Sequence, residues 1–273
     1  MIRKATHAGK FYPRFGYAII SQLAGWTADS RKAPHTEHSL GLIVPHAGYM
    51  YSGATAARAY HHISDEGFDA FVVIHPSHNG GNFEYSVSAF QEYETPLGNI
   101  RLDTECYAAL TGGDEPSDLW LRYHEQEHSM EIQLPMIKYF FPDARICPVM
   151  LGRQNLNNSR RLADRISYLL TQTSRRIAII ASTDLSHYHD AANAESKDRL
   201  LAKLVQEQAI DELWELINDG DCEACGIGAI LTLLCVGSNV QGAKMQVLEY
   251  THSGLVSGHN QQVVGYLTAK LWR

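Results

Sequence analysis

Cysteine is scarce in this chain: five among 273 residues, an odd number too sparse for a disulfide framework. Long apolar runs are missing as well. Leu231–Val236 is among the longest, far short of the ~20 residues a membrane span requires, so no membrane association is expected. Positive charge is not in excess. Lys and Arg number 23 against 30 Asp and Glu, a net charge of -7. That balance argues against a general binder of nucleic acid or anionic membrane, which needs clustered basic side chains to meet phosphates. The N-terminal stretch MIRKATHAGKFYPRFGYAII starts basic, but Gly9, Lys10, Pro13 and Arg14 interrupt any signal-peptide core. The expected compartment is therefore the cytoplasm. There is no H-E-x-x-H, no G-x-S-x-G, no P-loop and no G-x-G-x-x-G. Their absence removes zincin proteases, the common serine hydrolases, P-loop NTPases and Rossmann enzymes as leading readings. Repeats, low-complexity segments and long Pro/Gly/Ser linkers are also missing. The polar stretches Asp29–His38 and Asp114–Asp118 read as surface loops, which predicts a single domain over 1–273.

What the chain does have is a globular composition, 45% hydrophobic and 19% charged, with enough residues for one large α/β domain. Four short apolar runs read as buried strands: Leu40–Val44, Ala70–Ile74, Ile146–Leu151 and Ile177–Ala181. They do not alternate with polar residues, so both faces of each are expected to be covered. Met245–Tyr250 and Val263–Leu271 read as further strands. Between them lie helical patterns at Ser52–His62, with Ser52 as its cap, and at Glu131–Phe141, Asn157–Thr171, Ala192–Gln208 and Asp211–Asn218. Strands alternating with helices predict an α/β sandwich, its central sheet parallel or mixed and flanked by helices on both faces.

Histidine is abundant, with fourteen copies, and it both binds metals and titrates near neutrality. Three of the apolar runs lead directly into histidine-bearing turns. LIVPHAGYMYSG carries His46, FVVIHPSHNGG carries His75 and His78, and IAIIASTDLSHYHD carries Asp184, His187 and His189. Loops at the carboxyl ends of parallel strands converge, which is where open α/β sheets bind ligands. One histidine after a strand is usually a hydrogen-bonded loop residue. Three on three strands predict a common site containing His46, His78 and His187. His75, at the end of its apolar run, is expected to pack inward.

In DCEACGIGAILTLLCV the segment from Gly226 to Val236 is apolar almost all round and reads as a buried helix. Cys225 falls at its start, where the helix dipole and free N–H groups favour a thiolate able to bind metal. Cys147 and Cys235 read as core residues and Cys106 as a helix residue without a role. Cys222 and Cys225 spell C-x-x-C, but no second such pair exists and no first strand of a βαβ unit precedes it. The dithiol or half-zinc-site reading therefore lacks context. In HEQEHSMEIQLP, His128 and Glu131 are three apart and can share a helix face. A helix start capped by Ser129 and a substrate-contacting histidine are both open there. His7 and Tyr12 in THAGKFYP can line the same cleft, as can Tyr49 in VPHAGYMYSG. His35, His38, His61 and His62 read as solvated.

THAGKFYP, VPHAGYMYSG, HPSHNGG, HEQEHSMEIQLP, STDLSHY, ACGIGAI and the closing VVGYLTAKL stand in the order seen in the Memo family, whose bacterial and archaeal members are often labelled AmmeMemoRadiSam system protein B. The resemblance spans essentially the whole chain. It implies the fold of the class III extradiol ring-cleaving dioxygenases, which hold non-haem Fe(II) with two histidines and a carboxylate and use a further histidine as acid and base. Carried over motif by motif, the resemblance implies His46, His78 and Cys225 as metal ligands. It matches His187 to the catalytic histidine, with Asp184 beside it, and on this reading His128 is a further catalytic residue that positions the substrate's hydroxyl. His7, Tyr12 and Tyr49 would meet substrate. The family carries cysteine where the dioxygenases carry a carboxylate, and a thiolate accommodates copper as well as Fe(II). The implied activity is a metal-dependent oxidoreductase acting with O2 on a catechol-like or enediol substrate. The other reading that the resemblance supports is a non-catalytic metal-binding or adaptor protein. The system name implies AMMECR1-like and radical S-adenosylmethionine proteins as partners.

Overall fold

The computed structural model describes residues 1–34, 36–111 and 118–273. The loop readings of His35 and of 114–117 lie outside the described residues. In chain order the first half contains β1 (Ile2–Arg3), α1 (Gly16–Thr27), β2 (Ser39–Val44), α2 (Ala54–His62), β3 (Ala70–Pro76), β4 (Tyr85–Val87), β5 (Glu92–Tyr93) and β6 (Ile100–Arg101). Then come α3 (Thr104–Thr111), α4 (Asp118–Gln126), α5 (His128–Glu131), α6 (Leu134–Phe140), β7 (Arg145–Leu151), α7 (Leu156–Gln172) and β8 (Ile177–Ser182). The chain continues through β9 (His187–His189), α8 (Ala191–Glu207), α9 (Ile210–Asp219), α10 (Ile227–Ser238), β10 (Lys244–His252), α11 (Gly254–Ser257) and β11 (Val263–Trp272).

Eight of these strands form one mixed sheet in the order β10-β11-β2-β8-β3-β7-β4, with β9 pairing to β11. Its centre is parallel: β2 lies beside β8, β8 beside β3, and β3 beside β7. The edges β4, β10 and β11 run antiparallel. A smaller sheet, β1-β5-β6, sits apart. The mixed α/β sandwich expected from the apolar runs is thus the observed architecture.

Both faces of the central strands are dry because successive side chains point to opposite sides. Ile43, Val72, Ile74, Ile179 and Ala181 face one core together with α7 and α10 residues such as Leu162, Ile166, Ile230 and Leu234. Leu42, Val44, Phe71, Val73 and Ile180 face the other, against Ile19 and Leu23 of α1, Tyr60 of α2 and Ile137 of α6. Gly41 makes this packing fit. A Cβ there would lie 2.5 Å from the Ile179 carbonyl oxygen and 2.7 Å from Leu233 Cδ1.

Two expected helices are corrected. Ser52 does not cap α2. Its hydroxyl donates to the Ala47 carbonyl at 3.1 Å, inside a π-type turn over Tyr49–Gly53 that leads into the helix. Glu131–Phe141 is two helices, because α5 closes at Glu131 and α6 restarts with Pro135 in its first turn. Among the described residues no helix is long and apolar enough to cross a membrane.

Candidate metal centre

Parallel pairing brings the carboxyl ends of β2, β8 and β3 to one edge, and Val44 stands opposite Ser182 in the register. His46, two residues past β2, is 1% exposed. Its backbone N–H donates to Asp184 Oδ1 at 2.8 Å, and its Nδ1 lies 3.0 Å from Ser182 Oγ. That hydroxyl already donates to the Ser129 carbonyl and accepts from Gln133 Nε2. It therefore accepts from His46 Nδ1–H, leaving the Nε2 lone pair free to face inward. Burial first, then the charges of His128 and His78, hold His46 well below its ordinary pKa, so the ring is neutral.

His78 follows β3 by two residues. Its N–H donates to Glu127 Oε2 at 2.7 Å and its Nδ1 meets Glu127 Oε1 at 2.8 Å. Burial is the largest single influence and acts to lower the His78 pKa, but the hydrogen bond to Glu127 together with the charges of Glu127 and Asp184 outweighs it and the value is raised. His128 opens α5, with Nδ1 3.2 Å from the same oxygen. The ring of His128 lies 4.4 Å from that of His78 and 5.5 Å from that of His46, centroid to centroid. Nitrogens of His46, His78 and His128 all lie within 4.8 Å of one another.

Cys225 joins this group at His46, with Sγ 3.2 Å from Nε2. Gly226 allows the approach, since a Cβ there would stand 2.4 Å from the Ser182 carbonyl oxygen. Cys225 N–H donates to the Asp184 carbonyl, and Asp184 N–H points back at Sγ at 3.3 Å. The expectation of a thiolate made by the helix start is corrected. Burial, and next the charge of Asp184, push the Cys225 thiol above its usual range. Asp184 is itself raised by burial, with the N–H groups of His46 and Ala47 opposing. Cys222 is buried elsewhere, its sulfur 3.9 Å from the Lys197 carbonyl.

His187 lies in β9, paired to β11, rather than in a free turn. Its Nδ1 donates to the Leu185 carbonyl at 2.7 Å. It is not in the group formed by His46, His78 and His128. The rings of Tyr12 and Tyr49 lie 5.6 Å apart, tilted at 42°, with their hydroxyls spent internally, Tyr12 donating to Glu131 and Tyr49 to the Ile132 carbonyl. His7 presents its ring edge to Phe11 and His128, while its N–H donates to Glu131. His75 packs inward as expected, fully buried. His62 is not simply solvated, since its Nε2 is 3.2 Å from Lys270 Nζ.

Several residues that build the pocket were given no role in the sequence reading or were not singled out there. Glu127, and not Ser129, caps α5, accepting from Ser129 N–H. Gln133 and Ser182 fix the His46 ring. Arg3 and Glu131 form an ion pair at 2.5 Å with no exposure on either side chain. The signal for Glu127 and Glu131 was there in HEQEHSMEIQLP, two carboxylates flanking a histidine, but spacing alone does not distinguish a solvated helix start from a buried one. The donor set suits a transition metal: imidazoles presenting nitrogen and a sulfur beside them, a chemistry that accepts iron, copper or zinc.

Fold and pocket together define an α/β protein with a histidine-rich candidate metal centre at the carboxyl edge of its parallel strands. The family model described as "Memo-like protein" matches residues 3–270, and the chain belongs to the Memo family. It is 33% identical to a MEMO1 family protein of Sulfolobus acidocaldarius, covering 99% of each chain. It is also 33% identical to one of Methanothermobacter thermautotrophicus, over 97% of this chain and 99% of that one. With one of Saccharolobus solfataricus the identity is 35%, over 85% and 82%. A solved structure of an uncharacterised Escherichia coli K12 protein matches 84% of this chain and 99% of its own, with a TM-score of 0.49 and 13% identity.

Proposed function

We propose that the chain is a metal-dependent oxidoreductase, holding Fe(II) or copper and acting with O2 on a catechol-like or enediol substrate. The observation that carries this reading is the meeting of three imidazoles, delivered by the ends of β2 and β3 and by α5, within 4.8 Å. His46 and His78 are the ligands of this reading. Cys225, in contact with His46, completes the set. Bound iron would supply coordination positions for substrate oxygens and O2 together with one-electron chemistry.

The chain's own residues supply the rest. His187, with its Nδ1–H given to Leu185, offers Nε2 to take a substrate hydroxyl proton. His128, beside His78, is placed to hold a second proton or to orient the hydroxyl that carries it. Asp184 gathers the N–H groups of His46 and Ala47 and so fixes the turn that bears the first ligand.

The test is O2 consumption by anaerobically prepared, Fe(II)-loaded protein across a panel of catechols and enediols. Turnover that disappears in His187→Ala is expected. Metal-loaded protein inert across the panel overturns the oxygenase reading. A second reading, metal handling without turnover, draws on the soft sulfur at 3.2 Å from His46 Nε2, a donor pair suited to Cu(I). Stoichiometric copper uptake with no O2 consumed would favour it.

A further inference from the structure

Glu127 takes no part in the steps above, yet it is the most heavily used carboxylate of the pocket. It has no exposed surface. Oε2 accepts the His78 N–H at 2.7 Å, and Oε1 accepts the Ser129 N–H at 3.1 Å and stands 2.9 Å from Ser129 Oγ. Backbone N–H groups can only donate, so both carboxylate oxygens are acceptors. His78 Nδ1, hydrogen-bonded to Oε1 at 2.8 Å, must then be a donor, and His128 Nδ1, 3.2 Å from the same anionic oxygen, is favoured to carry its proton there because a lone pair would face an acceptor.

We propose that Glu127 is a positioning residue that fixes His78 and His128 together as Nδ1–H tautomers, so that one carboxylate aims two Nε2 lone pairs into the same space. The proposal rests on the metal reading of this pocket and deepens it. His78 is thereby ready to bind the ion and its neighbour is ready to receive a substrate proton. In the opposite tautomer either ring would present an N–H to the pocket and could do neither. His46 is set independently, by Ser182 and Gln133, so Glu127 acts on one side of the site alone. Ser129 backs the carboxylate, and His75 Nδ1 lies 3.1 Å from its hydroxyl. The carboxylate is thus anchored by groups that belong to no ligand. Hydrogen-bonded carboxylates behind metal-bound histidines set ring orientation and ligand basicity in the same way.

Glu127→Gln keeps the volume and removes the symmetry of acceptors. An amide nitrogen in the place of Oε1 would meet the Ser129 N–H and ask the rings to accept at Nδ1, and one in the place of Oε2 would meet the His78 N–H and push that turn away, so in either orientation at least one ring loses the acceptor that holds its Nδ1–H. Two measurements test this. The first is 15N NMR of the histidine rings in metal-free protein. At a pH high enough for the rings to be neutral, Nδ1–H alone is expected on His78 and His128 in the parent. In Glu127→Gln at least one is expected to switch to Nε2–H while His46 keeps its spectrum. The second is Co(II) affinity, followed by its electronic absorption, expected to fall about 10- to 100-fold in the variant. Nε2–H on either ring of the parent overturns the proposal, and so does a variant with parental tautomers and parental affinity. The parent spectrum decides even if the variant does not fold. A parent that shows both tautomers but takes up no Co(II) sinks the metal reading while upholding the hold of Glu127 on the two rings.

Discussion

An imidazole binds a metal only through a nitrogen that carries no proton, so at the residue scale the pocket is decided by where each ring N–H is spent. His46 spends its own on Ser182 and His187 on Leu185. Replacing His46 by Ala is expected to abolish metal uptake, measured by elemental analysis after anaerobic loading. Cys225→Ser is expected to lower it. Full metal in Cys225→Ser together with loss in His128→Ala would instead make His128 the third ligand. The ion pair of Arg3 and Glu131 behaves differently. Both side chains are fully buried, and Arg3 also donates to the backbone carbonyls of His124 and Glu127. Arg3→Met leaves Glu131 uncompensated and is expected to cost about 3–5 kcal/mol in urea unfolding. The pairing of Arg3 with Glu131 was not visible in the sequence. Arg3 lies 128 positions from its partner, and a single basic residue near a terminus looks like solvated charge.

At the scale of elements the legible parts were those whose pattern is set by burial. The four central strands have buried side chains on both faces, so they appear as unbroken apolar runs and their limits fall within a few residues of those expected. The two-residue strands β1, β5 and β6 carry no period to detect. α5 is only four residues long, too short for a helical repeat, which is why His128 could be noticed but not placed. Ile180→Ala, at a fully buried position of β8, is expected to destabilise by about 2–5 kcal/mol, read from the denaturation midpoint. Gly226→Ala forces a methyl against the Ser182 carbonyl. Its expected effect is local: the Cys225 segment moves off His46, and the absorption of a bound Co(II) ion loses its sulfur-derived intensity while the fold survives.

For the whole molecule, acid is the sensitive direction. Burial holds His75 down at about 4 and pushes His46 and His124 below their ordinary value. The unfolded chain therefore binds protons near pH 6.5 that the folded chain refuses. Stability is full above that pH and drains away as pH falls toward 4, by about 3 kcal/mol from His75 alone. His78 opposes this, since its raised pKa gives stability that is lost as pH rises. The thermal midpoint is expected to drop between pH 6.5 and 4.5, and in metal-free His75→Phe to drop less steeply. The overall α/β architecture was legible because alternating strands and helices admit few arrangements. Which loops meet was inferred only for the strand ends, where topology forces convergence.

His46 and Cys225 touch although 179 positions separate them along the chain, and β11 must slot between β2 and β10 before the sheet that carries His46 is complete. Contacts of such long range carry a large loop-closure cost before they are rewarded. The pairing of these two donors is therefore expected only once the sheet has assembled, and metal added at the start or at the end of renaturation is expected to reach the same occupancy.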